Sequence, residues 1–537
     1  MKTSAICAAL AFIAAVGMSA SAGTTSFPPV SRKFIAHGWD MLAVTPEEVL
    51  AHAAEFDKTG IDGVTLMIND KLADGRRISH SRIMNDPPWP RDLLKDKIAT
   101  FREIVKHPSL KESFISSWWA PRKRLSWEDD AAWANLATNM GTVAWLAKEG
   151  GLRGILVDAE DYPKTKQYDW QPSDPAYDDA AALARRRGAE VFSAIFREYP
   201  DITFLSFWML SLHEVYFRSA DPLAAAKAAG DLWPWFVNGM LDVMPPTARF
   251  VDGNEHAYRY EAEKGDFYRN ACEQRVAALS LIAPENRAKY RAHQLAGFGL
   301  YLDSYIVSTN STWYMGPIDG SRLNHFVRNL EQAAAAADEY VWVYGEKYAW
   351  IPWKGTKNPR FTKTGTWDEV LPGLNDEMLG VKDVRVHLRR RLEVLRATGA
   401  LTNVVCDMKK WGRWQDEKLL QGRMDKDGDG VSLEGCGSGC HIAYVDNVKP
   451  GERYGIQFRM KGEGSSTVYW QRDRRWNWKL PGTPAVFGEP DAEGWRLGEA
   501  LVRVPQGANR LALQLGAHQR AGERVVFHDV AVYRLDP

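Results

Sequence analysis

Eight β-prone stretches alternate with amphipathic helical patterns over roughly 300 residues, and this alternation leaves the chain very few folds to choose from. The stretches are KFIAHGWD (33–40), GVTLMIND (63–70), SFISSWWAP (113–121), GILVDAED (154–161), ITFLSFWML (202–210), ARFVDGNEHAY (248–258), GFGLYLDSYI (297–306) and EYVWVYGEK (339–347). Several of the intervening helices announce their starts. In TPEEVLAHAAEF, Thr45 reads as the N-cap, Pro46 fits the first turn and Glu48 completes a capping box. In SWEDDAAW, Ser126 reads as the cap, with acids in the first turn. Residues 348–382 read as a long loop rich in Trp, Pro, Gly and Thr, and DVRVHLRRRLEVLRATG as a closing helix stopped by Gly399.

Strand-then-helix units in this number predict a (β/α)8 barrel, with the active site at the C-terminal ends of its strands. A doubly wound sheet would hold fewer strands and a Gly-rich phosphate loop, and neither G-x-G-x-x-G nor a Walker pattern follows any of the stretches. From about Asn403 the period changes to two, with Gly, Pro, Asn and Asp between short strands, which predicts an antiparallel β-sandwich of jelly-roll type. The expected organisation is a signal peptide over 1–22, the barrel over 23–400 and the sandwich over 401–537. MKTSAICAALAFIAAVGMSASAG supplies the first of these: a basic start, an apolar centre, and Ala20 and Ala22 in an A-x-A cleavage pattern. The chain is therefore expected to be secreted or periplasmic, and no later segment is long and apolar enough to span a bilayer.

GILVDAEDY concentrates chemistry at the end of the fourth stretch. Side chains two apart share a face of a strand, so Asp158 and Glu160 point the same way, and their repulsion raises each other's pKa. Collecting polar residues at the other strand ends adds Asp40, Asn69, Asp70, Asp252, Asn254, Glu255, His256, Asp303 and Glu346, with Trp118, Trp119 and Trp208 beside them. In a barrel these converge on one mouth. Cleaving a glycosidic bond needs a protonated carboxyl group for the leaving oxygen and a second carboxylate as nucleophile or base. Glu160 is assigned the general acid and Asp158 tunes it; Glu255 is the first choice of partner, followed by Asp303 and Glu346. Trp39, Asp40, Trp118, Trp119, Trp208, Asp252 and Trp313 are assigned to substrate binding.

The 22 Trp, more numerous than Tyr (19) or Phe (20), support this reading, because a flat ring with an N–H handle suits the apolar face of a sugar. Many of them also fill core. The 68 basic and 68 acidic residues give a formal net charge of +0, which argues against nucleic acid or an anionic membrane as a partner and leaves a carbohydrate substrate. No metal is required: His37, His80, His213 and His256 show neither H-x-H nor H-E-x-x-H spacing. G-x-S-x-G is absent, which disfavours an esterase. A barrel that binds glycans without cleaving them is the alternative function.

On this architecture, and on the D-x-E formed by Asp158 and Glu160, the chain resembles secreted TIM-barrel glycoside hydrolases that carry a C-terminal carbohydrate-binding-like sandwich. The D-x-E looks like the end of the chitinase-type motif, but Gly154 and Leu156 stand where further Asp residues would be needed. The resemblance implies glycan contact by the sandwich, for which Trp470, Trp476, Trp478 and Trp495 are the candidates; packing of these rings is the competing expectation. DKDGDGVSLEGC places Asp425, Asp427 and Asp429 as in a Ca2+ loop, with Cys436 where a bidentate Glu would stand; an Asp- and Gly-rich hairpin turn accounts for the same letters. In CGSGC, Cys436 and Cys440 either form a small disulfide loop or stay reduced.

Overall fold

The computed structural model describes residues 32–72, 75–318, 320–353, 365–480 and 482–535, which belong to one compact unit. The expected signal peptide lies outside them. Nine parallel strand segments form the barrel: Lys33–Gly38, Gly63–Leu66, Phe114–Trp118, Gly154–Asp158, Thr203–Ser206, Arg249–Asp252, Gln294–Ala296, Phe298–Tyr301 and Tyr340–Gly345. They occupy eight positions, because Gln294–Ala296 pairs with the sixth strand while Phe298–Tyr301 pairs with the last, and only Gly297 separates them. A Cβ at Gly297 would lie 2.6 Å from Val251 Cγ1, so the break requires glycine. The ring closes where Tyr340–Gly345 runs alongside Lys33–Gly38, from Lys33↔Tyr340 to Gly38↔Gly345.

Burial follows strand alternation. Ile35, Phe114, Leu156, Leu205, Val251 and Trp342 fill the barrel interior, while residues such as Phe34, Ile115, Ile155, Phe204, Phe250 and Val341 pack outward against the helices. Every strand is thus apolar on both sides, and the eight stretches were readable for that reason. The Thr45 capping box forms as expected, with Glu48 N donating to Thr45 Oγ1 at 3.2 Å and Thr45 N to Glu48 Oε2 at 2.8 Å.

Three local expectations are corrected. Helix Asp130–Glu149 is capped by Asp129, whose Oδ1 accepts Ala132 N at 3.0 Å, and Ser126 instead turns the preceding loop. Residues 348–382 include helices Trp367–Val370 and Leu374–Lys382, the first started by a Thr366–Glu369 capping box. The second barrel strand stops at Leu66, and Asn69–Lys71 joins Arg77–Ser79 in a separate hairpin. Asp70 there faces Lys97 at 3.2 Å.

Beyond helix Val384–Ala397, two six-stranded antiparallel sheets build the sandwich. Val468, Trp470, Leu513, Ile456, Phe458 and Phe527 meet between them. The sandwich is fastened to the rest of the unit. Leu388, Leu392 and Leu395 of the closing helix pack on Leu535, Arg389 grips the buried Glu499 with two hydrogen bonds, and Arg453 pairs with Glu377.

Asp425 and Asp427 lie on a two-strand hairpin, Arg423–Asp427 with Gly430–Glu434, turned at Gly428 and Asp429. Asp427 is paired with Arg524 at 2.6 Å and Asp429 lies 3.4 Å from His528, so the hairpin explanation of this segment is the geometry found. Among the described residues, no three His, Cys, Asp or Glu side chains are grouped to hold a metal ion. Cys272, Cys406, Cys436 and Cys440 are all free, so the CGSGC pair is not joined. No helix of the described residues is long and apolar enough to cross a membrane.

Candidate active site at the barrel mouth

The fourth strand starts at Gly154, where a Cβ would lie 2.0 Å from Thr203 O, and its buried run Ile155–Val157 ends at Asp158. Leu156 points into the barrel, so Asp158, two residues on, does the same. Asp158 Oδ1 then accepts Glu160 N at 2.8 Å and folds the chain back over the mouth, while the Trp118 indole donates to Glu160 O at 2.8 Å. Glu160 Oε2 accepts the Tyr162 hydroxyl at 2.6 Å. The sixth strand delivers Glu255 through a left-handed Asn254 (φ 38°), whose amide is tied to Asn270 at 2.6 Å, and Glu255 N bonds to Phe207 O at 3.0 Å. Glu346 follows the last strand. Its backbone N–H donates to Asp303 Oδ2 at 2.8 Å, and its carboxylate receives the Tyr344 hydroxyl at 3.3 Å.

Glu160, Glu255 and Glu346 converge on one cavity of about 260 Å3, walled by Tyr258, Tyr301, Tyr344, Trp313 and Phe207. A second cavity of about 510 Å3 also touches Glu160 and Glu255, and Trp208, His213, Asp169 and Asp231 line it. Burial dominates the electrostatics here. It pushes Glu255 up to about 9, with Glu160 and Asp158 adding repulsion. It raises Glu160 too, opposed by the Tyr162 hydrogen bond and reinforced by Glu346. Asp158 is held well above the usual carboxylate range by burial and then by Glu160. Glu346 is raised by burial and by Asp303.

The other assigned residues divide. Trp118 and Trp313 stay at the mouth, Trp313 under the Arg259 guanidinium at 4.1 Å, and Trp208 lines the second cavity. Trp119 does not: it is 1 % exposed and packs against Phe192, Phe204 and Phe236, because alternation from Trp118 carries the next side chain to the outer face. Asp40 is buried, accepting Met41 N and Trp350 N at 2.9 Å, so it ties the first strand's end to the segment after the last. Asp252 is also buried and receives the backbone N–H groups of Met209, Leu210 and Ser211 at 2.8–2.9 Å. Asp303 is fully buried behind Glu346 and lies 3.2 Å from Lys347, so it positions the mouth and does not line it. Trp39 is half-buried and is not among the residues lining either cavity.

His37, buried beside Thr65 at 2.7 Å, is kept neutral by burial, its pKa near 3. His213 serves Asp231 at 2.8 Å. Among the described residues, neither belongs to a group of three His, Cys, Asp or Glu side chains that could hold a metal ion. Sequence reasoning missed the tyrosines: Tyr258, Tyr301 and Tyr344 stack with ring centres 5.3–6.0 Å apart. Tyr301 and Tyr344 stand two residues before Asp303 and Glu346, a spacing that marks a shared strand face.

The sandwich has its own cavity, of about 770 Å3, lined by Trp414, Trp476, Trp478, Tyr469, Tyr444 and Arg413 among others. Trp476 and Trp478 stack at 5.1 Å, and Trp478 is 67 % exposed. Alternation along Ser465–Arg472 points Val468 and Trp470 into the core and Tyr469 into the cavity. Trp470 is therefore core, and Trp495 lies on the other sheet against Arg459 and His528.

Fold and site together define a (β/α)8 barrel with an acid- and tyrosine-lined mouth, followed by a β-sandwich. No protein-family profile matches the chain, and no curated protein does. Among solved structures, a glucosidase from Croceicoccus marinus aligns over 90 % of this chain and 92 % of its own, at 8 % identity and a TM-score of 0.34. The enzymatically active domain of tailspike protein 4 from bacteriophage CBA120 aligns over 24 % of this chain, at 13 % identity and a TM-score of 0.19; the chain spans only 19 % of that protein's length. A CBM4 structure aligns over 25 % of this chain and 94 % of its own, at 16 % identity and a TM-score of 0.18.

Proposed function

We propose that the chain is a glycoside hydrolase that cleaves glycosidic bonds at the barrel mouth by paired-carboxylate catalysis. The observation that carries this reading is that Glu160 and Glu255 both line the two mouth cavities, one rich in tyrosine and the other in polar groups. Glu255 holds a proton at neutral pH, because burial and two neighbouring acids lift it to about 9, and it is the general acid. Glu160 carries the charge of the pair, because the Tyr162 hydroxyl stabilises its ionised form. This exchanges the roles expected from the sequence, where Glu160 holds the proton. Asp158, whose carboxyl burial and Glu160 hold well above the usual carboxylate range, orients Glu160 through the backbone, and Glu346 also lines the cavity. Glu160 and Glu255 repel each other, which favours a single charge between them.

The sandwich cavity fits the same substrate class, since the exposed Trp478 stacked on the half-buried Trp476, beside Arg413 and Gln514, offers a flat face and hydrogen bonds to a sugar chain. The signal-type first 22 residues suit an exported enzyme acting on external glycans. The test is hydrolysis of an oligosaccharide panel by the parent protein and by Glu160→Gln and Glu255→Gln. Each variant is expected to lose about 10²–10⁴-fold in kcat. Sugar binding without cleavage by the parent would support the glycan-binding alternative.

A further inference from the structure

The two mouth cavities are joined at the carboxylates. Glu160, Tyr162, Leu212 and Glu255 line both of them, so the reacting pair sits at a crossing with a built wall on each side. The walls differ in chemistry. On one side stacked Tyr258, Tyr301 and Tyr344 and the Arg259-capped Trp313 present flat faces. On the other, Trp208 is surrounded by polar side chains, among them Asp169, Asp231 and His213.

The second wall is preformed. The loop that follows Glu160 is pinned where Trp170 N donates to Gly230 O at 2.6 Å and Leu232 N to Tyr168 O at 2.8 Å. Asp231 is fixed in turn by His213 at 2.8 Å and by Trp233 N at 2.9 Å. An enzyme that removes terminal sugars needs a wall that ends behind the reacting bond on one side. Here both sides continue, with volumes of about 260 and 510 Å3. Sugars held away from the reacting bond supply binding energy that can be realised at the transition state.

We infer that the substrate is an extended glycan, threaded through both cavities and cut at an internal bond that lies over Glu160 and Glu255. This rests on the hydrolase reading and adds the mode of attack to it. The tyrosine side and the Trp208 side hold the chain on opposite flanks of the scissile bond.

The test uses reducing-end-labelled cello-, laminari-, malto- and chito-oligosaccharide ladders of graded length. The ladder that is cut should be cut several-fold faster with each added sugar until both cavities are filled, with products from internal bonds. Trp313→Ala and Trp208→Ala should move the cleavage point in opposite directions along the chain. A parallel titration by calorimetry uses Glu160→Gln combined with Trp478→Ala, so that neither turnover nor the sandwich contributes. Affinity should climb with length and fall when either Trp208 or Trp313 is replaced. Release of one terminal sugar at a rate independent of length overturns the inference and leaves the hydrolase reading standing. Length-dependent binding that needs both Trp208 and Trp313, without cleavage by the parent, supports the threading and overturns the hydrolase reading. A folded protein that neither cuts nor binds any ladder overturns both.

Discussion

The Tyr162 hydroxyl donates a 2.6 Å hydrogen bond to Oε2 of Glu160, two residues before it in the same loop. A donor at that distance favours the ionised carboxylate, and it offsets part of the cost of placing Glu160 among Asp158, Glu255 and Glu346. Tyr162→Phe removes the donor and keeps the ring, so Glu160 becomes harder to ionise. The acid limb of the kcat/KM–pH profile is expected to move to higher pH, with about a 10-fold loss at the optimum. An acid limb that stays in place would remove Tyr162 from this role.

Glu255 makes the converse prediction for stability. Its folded pKa, about 9, lies above its unfolded value near 4.5, so the folded state binds the extra proton between those limits. The sign follows: Glu255 leaves stability intact below about pH 4.5, and stability declines as pH rises toward 9. Glu255→Gln cannot lose a proton. Thermal unfolding should therefore show the variant several degrees more stable than the parent at neutral pH, with the difference vanishing near pH 4.5.

Asp252 tests the positioning network. Its carboxylate satisfies three consecutive backbone N–H groups of the loop that carries Trp208 and Leu212. Asp252→Ala leaves those donors buried and unpaired, at a cost of about 2–5 kcal/mol by chemical denaturation. Activity should fall along with stability, since Leu212 borders both cavities.

Two tryptophans separate binding from packing in the sandwich. Trp478→Ala, at an exposed ring, should weaken retention on the insoluble polysaccharide of the ladder that is cut and leave the unfolding midpoint nearly unchanged. Trp470→Ala, in the core, should cost about 3–5 kcal/mol in denaturant unfolding. Equal loss of stability in both would show that Trp478 also packs.

Truncation after Gly399 would uncover Leu388, Leu392 and Leu395 and leave Arg389 and Glu377 without Glu499 and Arg453. The shortened chain is expected to be insoluble on expression. A soluble, active product would show that the sandwich is not needed for the barrel to stand.

The elements were legible where chemistry is local. All eight barrel positions were found, because a strand buried on both faces must be apolar along its length, and the Thr45 cap needs only residues three apart. The D-x-E was readable only in part: Asp158 ends the strand, and Glu160 lies beyond it, where Asp158 Oδ1 accepts its backbone N–H. Strand-end acids were not separable by sequence. Asp40, Asp252 and Asp303 look like Glu255 and Glu346 in the chain, and only the returning loops decide which carboxylates meet backbone N–H groups and which face the cavity. Trp119 shows what adjacency means under period two: next to the mouth-facing Trp118 it takes the opposite face with Ile115 and packs outward. The break at Gly297 was invisible because a glycine between apolar residues reads as strand until its neighbours are known.

The pairing of Lys33–Gly38 with Tyr340–Gly345 also orders events in time. During synthesis the first strand emerges early and finds one neighbour in Gly63–Leu66, but its other edge waits until residue 345 has been made. Joining segments so far apart in sequence is slow, and an apolar edge left open meanwhile invites pairing with other chains. A chain of this design benefits from being kept unfolded until it is complete and then closing in a single late step, so that refolding from denaturant should be slow and should lose yield steeply with protein concentration.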